Sequence, residues 1–436
     1  GRWEPEGGMW LEADCNLTSG ESLVRQFLHG KKFFKEEFGV DNRILWLPDV
    51  FGYSGALPQI MKKSGVDYFM TTKLAWNQIN KIPNDTFVWR GIDGSEVLTH
   101  LNQIGGIPDP LSIVSSVDFI KDKESNDMRL YAYGYGDGGG GPSYGMFEYI
   151  DRICDVPGMP EIRQVTVSEF MAELEKSRGR LPVYDGELYL EFHRGTLTQM
   201  HEIKKNNRRA EAALRGMEFM NVITSSSRNE RTDELYKVLL KNQFHDILPG
   251  TCIAEATDVA LAEQKEALTE AKNYISAKGK KGKRSYFNTL PHSRVEILPT
   301  DVGQEYEALD GKRVVAPYKF DGVGYGRKIR CDGKIPFTVS GDKIVTPHLE
   351  ATFTKGKISS LIYKGRELAK GGFHIVKAYE DLPFIYDNWD IDIETMSKII
   401  VQDNLLSMEV VSNGALEFVL RMTYAIGEKS KIMQDV

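Results

Sequence analysis

The chain has 436 residues, 41% apolar and 27% charged, an ordinary balance for a soluble globular protein long enough for about two to four domains. Its 62 acidic against 55 basic side chains leave a net charge of −7, which argues against a polyanionic partner such as nucleic acid. No apolar run reaches the roughly 18 residues of a membrane helix, so no membrane role is expected. Cys15, Cys154, Cys252 and Cys331 are widely spread and form no C-x-x-C pair. They are neither a disulfide framework nor a cysteine zinc site, and they favour a reducing compartment, the cytoplasm. The opening Gly-Arg-Trp-Glu-Pro reads as the middle of something longer.

Up to about residue 195, short apolar runs alternate with helical stretches. Residues 43–47 (Arg-Ile-Leu-Trp-Leu) suit a buried strand that stops at Pro48-Asp49. A helix over 56–64 follows, with Gly65 placed as its C-terminal cap. Residues 66–72 are the next strand, ending at Lys73. The apolar stretch 128–135 runs into Gly136-Asp137-Gly-Gly-Gly-Gly-Pro142. This rhythm predicts a parallel sheet or (β/α) barrel over residues 1–197, whose chemistry gathers at the carboxyl ends of the strands. Asp49, Lys73 and Asp137 all fall there.

From 198 to 277 the spacing becomes helical. Ile203, Asn207, Ala210, Leu214 and Met217 recur every three or four residues, as one helix face requires. Leu235, Val238, Leu239 and Asn242 mark a second helix, and Ile253, Ala256, Ala260, Ala267, Ala271 and Ile275 a third. A three-helix bundle is the economical reading. Residues 278–285 hold a basic, glycine-broken run that reads as a solvated linker. Over 286–436, apolar segments at 294–298, 343–345, 349–353, 358–363 and 415–423 alternate with turns and predict a β-sandwich, incomplete at Val436.

Several residues could carry chemistry. Two carboxylates at strand ends, Asp49 and Asp137, suit a retaining glycosidase if they lie about 5–5.5 Å apart. The glycines after Asp137 lack the endings of a phosphate loop, so their plainer meaning is close approach of a bulky ligand to bare backbone. His245-Asp246 ends the second helix; a histidine there is more often structural than a ligand, although Asp246 could orient its ring. Read as a strand, Glu187–Thr196 would put Tyr189, Glu191 and His193 on one face. No H-E-x-x-H and no H-x-D occurs in the chain.

Taken together, these passages resemble glycoside hydrolase family 38, the α-mannosidases. In order they are Gly7-Gly-Met-Trp10-Leu-Glu12-Ala-Asp14, Ser19-Gly-Glu21-Ser-Leu-Val-Arg25-Gln26, Leu47-Pro-Asp49-Val-Phe51-Gly52-Tyr53-Ser54 and Thr71-Thr-Lys73-Leu-Ala-Trp76-Asn77. Phe87-Val-Trp89-Arg90-Gly-Ile-Asp93-Gly94, the Asp137 turn, residues 187–196 and Gln243-Phe-His245-Asp246-Ile-Leu-Pro-Gly-Thr251 complete the series, and the likeness weakens beyond about residue 300.

The resemblance implies that Asp49 attacks the anomeric carbon and also binds a divalent metal, zinc, with His245 as a second ligand. It implies Asp137 as the acid/base, Phe51 lining the sugar pocket, Lys73 supporting the nucleophile, and Asp14 and His193 as further pocket residues. A carboxylate bound to a dication stays ionised, as a nucleophile must. The acid must instead hold its proton, which burial favours. The family takes two more metal ligands from a His-x-Asp passage absent here, so this chain alone is expected to bind metal weakly. The implied function is release of terminal α-linked mannose with retention, by an enzyme that could self-associate. A hydrolase of a small mannosylated metabolite of the mannosylglycerate type, or a non-catalytic carbohydrate-binding relative, are the rival readings; an aryl mannoside tested against the glycerate separates the first.

Overall fold

Alternating apolar side chains in the first hundred residues build a sheet with both faces buried. The computed structural model describes residues 3–104, 106–224, 230–278, 284–308, 311–331, 333–402 and 404–436. Strands β1 (Ile44–Trp46), β2 (Tyr68–Thr71), β3 (Thr86–Arg90), β4 (Glu96–Leu101) and, after the short β5 (Gln103–Ile104) and β6 (Tyr131–Ala132), β7 (Val183–Asp185) are involved. The sheet order is β1-β2-β4-β3-β7. The pairs β1–β2, β2–β4 and β3–β7 are parallel and β3–β4 is antiparallel. Leu45, Phe69, Phe87, Trp89, Val97 and Leu101 face one core, while Ile44, Met70, Val88 and Leu98 face the other. This is the period-2 alternation of a strand, repeated with apolar residues on both sides.

Helices cover the sheet. Helix α1 (Gly20–Phe38) starts at Ser19, whose hydroxyl accepts the Ser22 N–H, and stops at Gly39, at φ 71°. Helices α2 (Leu57–Lys63), α3 (Pro110–Asp118), α4 (Tyr144–Ile153) and α5 (Val167–Glu175) follow, the last begun by a Thr166–Glu169 capping box. The apolar stretch 128–135 gives only the two residues of β6, paired with β5 and outside the main sheet. The reason is tertiary: Met128 and Leu130 pack against the core on one face of the sheet, and the Leu130 N–H donates to His100 Nε2 at 3.3 Å instead of to a strand.

The helical middle consists of α6 (His201–Thr224), α7 (Glu230–Lys241) and α8 (Ala254–Lys278). Buried polar contacts tie them: Tyr274 donates to Asn221 Oδ1 at 2.8 Å, and Asn242 Nδ2 donates to Glu263 Oε2 at 2.9 Å. The linker expected at 278–285 lies largely on residues outside the described ones.

Beyond it the chain is antiparallel sheet. Thr338–Ser340, Lys343–Val345, Leu349–Thr354, Lys357–Tyr363 and Arg366–Phe373 form a meander. Its tight corners are Lys355-Gly356 and Lys364-Gly365, all at positive φ, as two-residue hairpin turns demand. Ile344, Ala351, Phe353 and Ile358 of the meander share one core with Leu420, Met422 and Tyr424 of Phe418–Ile426. The strand expected at 415–423 starts three residues later because Gly414 N–H closes a turn onto Glu417 O at 3.0 Å. Two compact units result: Gly1–Tyr274 with Asn388–Asp390, and Ile275–Asp387 with Ile391–Val436.

Candidate active site

Five segments of the first unit meet beyond the carboxyl ends of β1 and β2. The loop after β1 carries Pro48 and Asp49, and that after β2 carries Lys73. Pro48 O accepts the N–H groups of Thr72 and Lys73 at 3.2 and 3.1 Å, which fixes one loop against the other. Tyr53, fully buried, braces both through its hydroxyl, which donates to Leu47 O at 2.9 Å and meets Thr71 Oγ1 at 2.6 Å.

The other three segments arrive by backbone pairing. Asp14 N–H donates to Gln243 O at 2.9 Å and His245 N–H to Glu12 O at 3.1 Å, so residues 12–14 lie along 243–245. Leu188 and Tyr53 exchange backbone bonds of 2.9 and 3.0 Å, which brings residues 188–193 to the same place. Gly52 sits between them at φ 113°, where a Cβ would come 3.1 Å from Asn16 Nδ2 and 3.3 Å from Leu190 N. Only glycine fits such a crossing without displacement.

Asp49 occupies the centre. Lys73 Nζ lies 2.5 Å from its Oδ1 and His245 Nε2 lies 3.8 Å from its Oδ2. The Lys73 ammonium stands 4.1 Å from the Trp76 ring centroid and 5.4 Å from that of Phe51. A cation held over aromatic faces and against a carboxylate is fixed in place. Phe51 is buried, with His193 edge-on at 5.2 Å and His245 edge-on at 6.1 Å. His245 Nδ1 faces Glu12 twice, at 3.2 Å from the backbone oxygen and 3.7 Å from Oε2. Burial pushes the Glu12 carboxyl up, opposed by His245 and reinforced by the nearby Asp49 and Asp246 carboxylates.

Asp49, Phe51, Lys73, His193 and His245 are therefore brought together. Asp14 and Asp137 are placed elsewhere in the geometry. Asp14 is fully buried, its Oδ1 accepts the N–H groups of Asn16 and Leu17 at 3.0 and 2.6 Å, and burial pushes its carboxyl up. It shapes the 14–17 turn. Asp137 lies exposed on a one-turn 3-10 helix, Gly136–Gly138, and shares none of the contacts made by Asp49.

The 187–196 segment does not form the strand that its alternation suggested. Glu191 turns away to accept the N–H groups of Ile79 and Asn80, Tyr189 is exposed beside Arg194, and His193 adopts φ 51°. Hydrogen bonds to loops, not to a neighbouring strand, decide each direction. Four neighbours escaped the sequence reading: Glu12, Trp76, Trp389 and Asp390. Glu12 and Trp76 stand within passages quoted above, but nothing in sequence spacing links Asp390 to His193.

The sequence pattern of the glycosyl hydrolases family 38 N-terminal domain matches residues 1–187, and that of the family 38 C-terminal domain matches 344–436. The α-mannosidase middle domain matches 191–281 between them. The chain belongs to glycosyl hydrolase family 38. It is 31% identical to alpha-mannosidase 2C1 of Mus musculus over all of this chain and 45% of that protein. It is 40% identical to alpha-mannosidase G of Dictyostelium discoideum over 63% of this chain and 26% of that one. This family 38 chain thus spans less than half the length of the curated relatives it matches. In fold it is similar to the crystal structure of an alpha-mannosidase from Enterococcus faecalis V583, with a TM-score of 0.70 over 96% of this chain and 58% of that one, at 13% identity. No described helix is long and apolar enough to cross a membrane.

The donor chemistry around Asp49 suits a divalent metal in part. An imidazole nitrogen and a carboxylate oxygen face each other across 3.8 Å, both ligand types that zinc accepts. Among the described residues no group of three or more His, Cys, Asp or Glu converges on one point. The pair alone is half of a closed site.

Proposed function

We propose that this protein is a retaining α-mannosidase that releases terminal α-linked mannose from glycans or oligosaccharides, with Asp49 as its nucleophile. The observation that carries the reading is the placement of Asp49 just past the carboxyl end of the parallel strand β1, between the Lys73 ammonium at 2.5 Å and His245 Nε2 at 3.8 Å. Family membership and the names of the relatives support the substrate class. Asp49 Oδ2 and His245 Nε2 would hold the metal, which would supply Lewis-acid stabilisation to sugar hydroxyls.

The remaining roles follow from the chain's own side chains. Asp49 attacks the anomeric carbon and becomes glycosylated, and Lys73 holds its carboxylate in line for that attack. Phe51 and Trp76 offer apolar faces to the sugar's C–H groups and keep water from the reacting centre. Asp137 is proposed as the acid/base on the family resemblance alone, since it lies exposed and shares no contact with Asp49. The finer architecture belongs to the same proposal: residues 1–197 as part of a (β/α) barrel, 198–277 as a three-helix bundle and 286–436 as a β-sandwich. Unbridged cysteines support a cytoplasmic location, and self-association is expected by likeness to the family.

Product stereochemistry tests the reaction. Hydrolysis of an aryl α-mannoside followed by proton NMR should show α-mannose as the first product, as a double displacement requires. β-Mannose appearing first would contradict retention. Asp49→Asn should lower kcat by roughly several thousand-fold, the scale on which loss of a nucleophile acts.

A further inference from the structure

Trp389 and Asp390 lie almost two hundred residues beyond His193, yet the Asn388–Asp390 segment packs as part of the first unit. Its contacts converge on one residue. Asp390 Oδ1 accepts the His193 backbone N–H at 3.0 Å and lies 2.8 Å from His193 Nδ1. Trp389 O accepts the Gly195 N–H at 2.9 Å, and a Cβ on Gly195 would come 2.9 Å from that same oxygen. The Trp389 ring packs against the core that holds Phe51 and Leu190. His193 and Asp390 are only 3% and 5% exposed, so this pairing is not a loose surface contact.

The geometry fixes more than position. An ionised carboxylate accepts hydrogen bonds and cannot donate them, so the proton between the pair belongs to Nδ1. In the neutral ring Nε2 then carries the lone pair. Asp390 Oδ1 also accepts the His193 backbone N–H, so it cannot swing away without leaving a buried donor unsatisfied. His193 itself stands at φ 51°, an uncommon conformation for a non-glycine residue, and the two bonds to Asp390 brace it together with those its carbonyl accepts from Thr196. The ring it orients lies against Phe51 and 6.0 Å from Trp76, on the Asp49 side of the site.

We propose that Asp390 is a positioning residue for sugar recognition: by accepting both N–H groups of His193 it fixes the imidazole so that Nε2 meets a mannoside hydroxyl as a hydrogen-bond acceptor. His193 is then the residue that touches substrate, and Asp390 acts through it. The inference rests on the mannosidase reading. It adds that recognition of one hydroxyl depends on a residue supplied from within the β-rich region of the sequence.

The test compares an aryl α-mannoside with its 2-, 3-, 4- and 6-deoxy counterparts on the intact protein. In the wild type, kcat/KM should drop about tenfold for one deoxy substrate, the scale of one lost hydrogen bond. That discrimination should collapse towards one in His193→Ala and equally in Asp390→Ala, and Asp390→Asn, whose amide oxygen still accepts both N–H groups, should restore it. A purely structural role would lower activity on every substrate alike and leave the ratio standing, which would overturn the proposal. If Asp390→Ala does not fold, 15N-histidine NMR of the wild type decides. The signal lost in His193→Ala should be that of an Nδ1–H ring, and an Nε2–H ring would overturn the proposal. No hydrolysis of the parent mannoside by the wild type would instead count against the mannosidase reading, and the NMR result would still judge the His193–Asp390 device.

Discussion

Lys73 is enclosed by its partners. Its side chain is 8% exposed, it pairs with Asp49 at 2.5 Å, and it stands over Trp76 at 4.1 Å. Removing the side chain's amine leaves the Asp49 carboxylate without its nearest counter-charge. Lys73→Met should therefore keep the fold and lower kcat/KM on an aryl mannoside by about a hundredfold, as losses of pre-organised electrostatic support do. Steady-state kinetics beside a thermal melt checks both halves. Activity within a few-fold of wild type would mean that the pair is structural. The meeting of Asp49 and Lys73 was legible in the sequence because they follow adjacent strands, and such ends converge in parallel sheets. The 137 turn was legible as a turn, but its distance from Asp49 could not be read from position along the chain.

At the scale of elements, close approach and burial set the tolerances. Gly30 lies in the interior of α1, where alanine would add about 1 kcal/mol of helix propensity. Yet a Cβ there would come 2.2 Å from the Met9 carbonyl carbon, because residues 9–10 cross the helix at that point. The clash is with backbone and outweighs propensity. Gly30→Ala should lower stability by about 2–3 kcal/mol in a thermal or denaturant melt. It should also disturb Glu12, which the same crossing delivers to His245.

His100 on β4 makes a pH prediction. It is fully buried, its Nδ1 meets Thr86 Oγ1 at 2.9 Å, and its Nε2 accepts the Leu130 N–H. Burial, aided by Arg129, pushes the imidazole down to about 3. Between that value and the unfolded value near 6.5, only the unfolded chain takes up the proton. Stability falls as pH drops through this window, by up to about 1.4 kcal/mol per pH unit from this residue. His100→Gln should have a shallower acid slope than wild type in melts between pH 6.5 and 4. The strands around His100 were partly legible from alternation. The loss of the 128–135 strand to a single bond with a buried imidazole was not, since that competition is tertiary.

At the scale of the whole molecule, the chain order does not coincide with the compact units. The Asn388–Asp390 segment lies in sequence among residues of the second unit and packs within the first. Repeats, composition and helical periodicity read along the chain carry no signal for such an exchange. The metal question also belongs at this scale, since Asp49 and His245 come from different structural regions, the loop after β1 and the connection between α7 and α8. Elemental analysis of the intact protein should find a single zinc per chain, lost or much weakened in His245→Ala. Zinc retained undiminished in that variant would place the metal elsewhere.

The measurement that bears most directly on the account is covalent trapping. Incubation with a fluorinated mannosyl fluoride, which slows breakdown of the glycosyl-enzyme, followed by peptide mapping, should place the label on Asp49. Label on any other carboxylate, or on none while turnover continues, would contradict the central claim.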